Sequence, residues 1–170
     1  MKSLVVAAMA AAVLMTGCAR PTEDALWQQV QQTKARGSFD STLQAAQNLI
    51  REFPDGKNAS AALFLLGDIN QNLKHDYPAA IRYYRAFAEK YPADSSAPIA
   101  MFVVGFIYNN NLQKYDSAKA AYESFMAKFP NHPLVASAKF EIDNLGKTPE
   151  EIISSKKEVA EQSKKQSRRK

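Results

Sequence analysis

One cysteine, Cys18, is all the chain has, so no intrachain disulfide can form and a four-cysteine zinc site is excluded. Histidine is almost as scarce. His75 and His132 fall in different connections, at different phases of the pattern described below, and read as solvated loop residues rather than a shared metal site. No HExxH, GxSxG, P-loop or GxGxxG occurs, so no catalytic constellation is present and no cofactor is called for. Long apolar runs are lacking too. The longest, Leu4 to Met15, has twelve residues, too few to cross a bilayer of about 30 Å as a helix. A basic body is also missing. The net charge is +5, but Pro149 to Lys170 holds seven Lys/Arg against four Glu, and Cys18 to Thr148 holds fourteen against thirteen. The body is close to neutral, which argues against nucleic acid as a partner, because that needs a cationic face.

What is present is a period. Tyr77, Ala80, Tyr84, Phe87, Lys90, Pro92, Ala100 and Phe102 return thirty-eight residues later as Tyr115, Ala118, Tyr122, Phe125, Lys128, Pro130, Ala138 and Phe140. Phe39, Phe53-Pro54, Ala62, Phe64 and Gly67 stand one period earlier. A fixed period of this size signals stacked supersecondary units, each too small to bury its apolar face alone.

The apolar spacing is helical throughout, and nothing reads as a strand. Helices are expected over 22–36, 40–52, 58–72, 78–90, 97–110, 116–128 and 133–145. Thr22 caps the first and Gly37 stops it. The connections carry turn chemistry, such as Pro54-Asp55-Gly56 and Pro130-Asn131-His132-Pro133. Tyr83, Tyr84, Phe87, Phe102 and Phe125 are expected in the core. The expectation is an all-α solenoid of about seven helices across residues 22–147. Thr148, Pro149 and Glu151 then form a capping box that starts a helix in a charged tail, 148–170, whose last residues from Lys164 should be disordered.

The N-terminus has one cation, Lys2, then the apolar run, then Thr16-Gly17-Cys18. These residues resemble the signal peptide and lipobox of bacterial lipoproteins. The resemblance implies a signal over 1–17, acylation of Cys18 and a short linker over 18–21. Ala19 after the cysteine implies an outer-membrane anchor facing the periplasm. The tail cations Lys156, Lys157, Lys164, Lys165, Arg168, Arg169 and Lys170 have two readings, contact with anionic lipid head groups or, more commonly for such a run, solvated charge.

The glycines Gly67 and Gly105, alanines Ala80 and Ala118, aromatics Tyr84 and Tyr122, and prolines Pro54, Pro92 and Pro130 resemble the signature positions of the tetratricopeptide repeat. The thirty-eight-residue form is similar to repeats of the tetratricopeptide lipoprotein of the outer-membrane β-barrel assembly machinery, and of periplasmic cell-division coordinators. The resemblance implies a non-catalytic scaffold whose first helices line a groove for an envelope protein or peptide. By phase that groove holds Phe64, Asp68, Gln71 and Asn72, then Phe102, Phe106, Asn109 and Asn110, then Phe140, Asn144 and Lys147. An apolar floor beside amides suits an extended peptide or a partner helix. Phe64 and Asp68 stand where chaperone-binding relatives carry Lys and Asn, so a clamp for a partner's terminal carboxylate is not expected. Outer-membrane protein assembly is the implied role; a scaffold or accessory of cell-wall remodelling or division is the alternative.

Overall fold

A computed structural model describes residues 20–167. The expected signal over 1–17, Cys18, Ala19 and Arg168 to Lys170 lie outside the described residues. Among the described residues eight α-helices follow one another: α1 (Glu23–Ala35), α2 (Phe39–Glu52), α3 (Ala59–Asn72), α4 (Tyr77–Lys90), α5 (Ala97–Phe106), α6 (Tyr115–Lys128), α7 (Leu134–Asp143) and α8 (Pro149–Ser167). There is no strand among the described residues. Each helix packs on the next up to α7, so the chain is a stack of hairpins: α1–α2, α3–α4, α5–α6, then the half-hairpin α7.

Local sequence sets the ends. Thr22 Oγ1 accepts from Ala25 N at 3.2 Å, and Gly37 turns the chain at φ +67°. Asp76 caps α4 by accepting from Ala79 N at 3.0 Å. Lys114 holds the equivalent place before α6 and makes no side-chain cap. Thr148 and Glu151 exchange two bonds at the start of α8 (2.7 and 3.3 Å). Helical backbone continues to Ser167, past the Lys164 at which disorder is expected.

α5 departs from the sequence expectation. Its last turn, Ile107–Asn111, is π-helical, closed by Leu112 N on Ile107 O at 3.0 Å. Wider bonds also close α3, where Lys74 N meets Ile69 O at 3.0 Å and Asp76 N meets Asn70 O at 2.9 Å. The matching bond after α5 is Lys114 N to Tyr108 O at 2.8 Å. His75 and Gln113, thirty-eight residues apart, sit at the same left-handed corner with φ +54° and +51°.

Within each hairpin, one large residue meets one small one. Tyr84 lies over Gly67, and a Cβ there would fall 2.7 Å from the ring. Tyr122 lies over Gly105, with 2.6 Å in the same test. Both rings are buried, so neither glycine tolerates a side chain without moving its partner. The first hairpin reverses the sizes. One period before Tyr84 stands Ala46, and in the glycine's place on α1 stands Val30; both are fully buried in one cluster. The bulk has moved from the second helix to the first.

The three turns between hairpins are braced differently at one position. Asp94 Oδ1 accepts from Ser96 N at 2.8 Å. His132 Nδ1 accepts from Leu134 N at 3.2 Å. Gly56 has no side chain to offer, and Glu23 of α1 substitutes: its Oε1 accepts from Asn58 N at 2.7 Å and from Asn58 Nδ2 at 3.0 Å.

Candidate functional site

The first helices of the hairpins, α1, α3, α5 and α7, carry the face expected to bind. Phe64 is half-buried and edge-on to Tyr84 and Phe87, at 5.4 and 5.3 Å between ring centres. Phe102 holds the same place, tilted against Tyr122 at 5.3 Å and edge-on to Phe125 at 5.9 Å. These two rings are thus the outer layer of the hairpin cores. Phe106 and Phe140 are more open, at 38% and 42% exposure.

The polar residues of the groove are engaged with their own fold. Tyr84 Oη lies 3.0 Å from both Asp68 Oδ1 and Gln71 Oε1, and donates its proton to one or the other. Burial first, then the Asp68 charge, raises the Tyr84 pKa above the usual tyrosine range. Asn72 Nδ2 reaches Asp68 Oδ1 at 3.4 Å. Asn109 Nδ2 donates to Glu141 Oε2 at 3.0 Å and so ties the π turn to α7. Asn110 and Asn144 donate back to the carbonyls of Phe106 and Phe140, at 3.2 and 2.7 Å. Lys147 Nζ donates to Asp143 O at 2.6 Å. Each amide of such a pair keeps its Oδ1 as an acceptor for an outside N–H.

Eight of the eleven predicted groove residues fall into two groups rather than one trough. Phe64 and Asp68 line a recess of about 340 Å³ with Trp27, Gln31 and Lys34 of α1, and with Asp94 and Ser96 of the second turn. Asp68 and Asn72 also border a smaller apolar hollow of about 180 Å³ beside Leu65 and Leu73. Asn109, Asn110, Phe140, Asn144 and Lys147 line a second recess of about 380 Å³, closed by Thr148, Pro149 and Ile152 at the start of α8. Gln71, Phe102 and Phe106 line none of these recesses.

Sequence reasoning passed over Trp27, Gln31 and Lys34. The connection after α1 is one residue shorter than its counterpart after α3, so the phase slips. Corrected for that, Trp27, Phe64, Phe102 and Phe140 hold the same place on α1, α3, α5 and α7, at separations of thirty-seven, thirty-eight and thirty-eight. A large aromatic at one position in four successive first helices was the available signal. Lys157, the one tail cation with a described side chain, lines none of these recesses; the side chains of Lys156, Lys164, Lys165, Arg168, Arg169 and Lys170 lie outside the described residues.

Among the described residues no three His, Asp or Glu side chains converge to hold a metal, and no helix is long and apolar enough to cross a membrane. The arrangement offers open recesses along a helical stack, which defines a helical-repeat solenoid. Residues 61–94 and 100–132 match the tetratricopeptide repeat family, which supports a tetratricopeptide-repeat protein. Such repeats indicate a protein–protein interaction scaffold. None of the curated proteins matches the chain.

Proposed function

We propose that the protein is a non-catalytic scaffold of the bacterial envelope, anchored through acylated Cys18 to the outer membrane, and that its first-helix face holds an envelope protein during outer-membrane protein assembly. The observation that carries the binding face is the stripe of Trp27, Phe64, Phe102 and Phe140, flanked by amides and by two recesses. Rings give buried area, and amide oxygens beside them accept from a partner's backbone. The anchor rests on the resemblance of the N-terminus, Lys2 to Cys18, to a lipoprotein signal and lipobox, and the location on Ala19 after the cysteine.

The test is photo-crosslinking from Phe140 in membranes, with the captured partner identified by mass spectrometry. Trp27→Ala, Phe106→Ala and Asn110→Ala should each weaken capture, and Lys119→Ala, on a second helix, should not. Recovery of the barrel-assembly machinery supports the assembly role. Recovery of division or cell-wall proteins replaces it with a cell-wall scaffold. Capture that survives loss of all three side chains removes the groove. Fatty-acid labelling that persists in Cys18→Ser removes the anchor.

A further inference from the structure

The opposite face, built by the second helices, carries a feature that the repeat itself explains. Between α2 and α4 the seam is filled. Tyr83 of α4 leans across it, packs against the clusters on both sides, and accepts a bond from Gln47 Nε2 at 3.0 Å. Ile50 of α2 packs beside it. One period later, between α4 and α6, the same positions read Ala121 for Tyr83, Ala88 for Ile50, Val104 for Leu66 and Met101 for Leu63. Three of the four are smaller, and a cavity of about 230 Å³ opens there. Its floor is Ala88, Met101, Val104 and Ala121. The rim has Arg85, one period after Gln47, with Glu89 and Lys128. The Arg85 guanidinium is steadied over the Tyr108 ring, 5.7 Å from its centre.

We propose that this notch is a receptor for one aromatic side chain, tyrosine in the first instance, presented by a partner polypeptide. The occupant is read from the molecule's own first seam, where a tyrosine fills the matching space. The polar end matches too. Gln47 Nε2 donates to the Tyr83 hydroxyl oxygen, and Arg85, which has only donors, offers the same bond to an incoming hydroxyl oxygen. The site lies on the face away from the aromatic stripe and does not depend on the function proposed for it.

The experiment titrates N-acetyltyrosinamide into the full chain and follows the methyl signals of Met101 and Val104 by NMR. Both should shift and saturate, with the weak affinity of a single side chain. N-acetylphenylalaninamide should bind about tenfold more weakly, the worth of one hydrogen bond. Ala121→Tyr should remove the shifts and raise the melting temperature, because it restores the first seam's own packing. Ala121→Leu, which half-fills the notch, should weaken binding and supplies the comparison if Ala121→Tyr does not fold. Unmoved methyls in the wild type, or shifts undiminished in the Leu variant, overturn the proposal. Self-association of the wild type that disappears in Ala121→Leu would put a second copy's ring in the notch and overturn a separate partner.

Discussion

The hairpins α3–α4 and α5–α6 share a backbone plan and differ in how they treat the same tyrosine hydroxyl. Tyr84 Oη has Asp68 and Gln71 within 3.0 Å. Tyr122 Oη is buried and has no hydrogen-bond partner. Their surroundings explain it. Phe106 stands in the place of Asp68, and Asn109, in the place of Gln71, is turned to Glu141. Burial first, then the Glu141 charge, raises the Tyr122 pKa above its usual range. The repeat therefore conserves the ring, which fills space, and not the bond, which is optional to the fold. One unit invests position 68 in its own stability; the other spends position 106 on an exposed aromatic surface.

The sharpest break of this comparison uses the reversed first hairpin. Tyr84→Ala should cost about 3–5 kcal/mol by leaving a large void. Gly67→Val alone should also destabilise, since its side chain meets the ring. Together they rebuild the Val30–Ala46 arrangement, and the loss should fall short of the sum by about 1–3 kcal/mol. Urea denaturation of the four proteins measures it; strict additivity would mean that the size exchange is not a matched pair.

Next come the hydroxyls. Tyr84→Phe should cost about 1–2 kcal/mol, because the bond it donates to Asp68 or Gln71 is lost. Tyr122→Phe should gain about 1 kcal/mol, because it removes a buried group that no partner satisfies. Denaturation midpoints moving the same way in both variants would erase the distinction between the hairpins. The same groups set the alkaline edge. Their folded pKa values are raised, so this contribution is whole below the unfolded value of about 10 and is lost as pH rises through the folded values. Stability measured upward from pH 10 should fall, and less steeply in either Phe variant.

The smallest effect lies at the caps. Lys114→Asp gives α6 the cap that Asp76 gives α4, and should stabilise by about 1 kcal/mol. Amide exchange in the first turn of α6 should slow accordingly. A variant with no gain would show that the start of α6 is already satisfied by another route.

Much of this was legible in the sequence because a period is a strong constraint. Tyr84, Phe87 and Phe125 are fully buried as expected, Tyr122 joins them one period after Tyr84, and the turns fall at the prolines. Tyr83 and Phe102, also read as core, are half-buried, because each sits on an outer face of its hairpin. The periodic reading failed where the period slips. One residue fewer after α1 displaced Trp27 by a position and hid its membership of the aromatic stripe. The π turn at 107–111 was not legible, since Ile107-Tyr108-Asn109-Asn110-Asn111 continues a helix as readily as it widens one. Division of the groove into two recesses depends on where Asp94 and Ile152 arrive from other segments, which no single helix pattern encodes. The notch became readable only by subtracting one repeat from the next.

The exchange of bulk between Val30–Ala46 and Gly67–Tyr84 also bears on how the chain avoids assembling wrongly. Repeats that look alike invite the wrong helices to pair during folding, or hairpins to trade between neighbouring molecules. Here α1 closing on α4 would drive Val30 into Tyr84. α3 closing on α2 would set Gly67 against Ala46 and leave a hole. Both mismatches are penalised, one by collision and one by emptiness, so the first hairpin carries an address that the later ones cannot answer. The α3–α4 and α5–α6 pairs, glycine against tyrosine in each, lack that protection from one another. Any swapped dimer of this protein should therefore exchange its hairpins there and leave the first hairpin with its own chain.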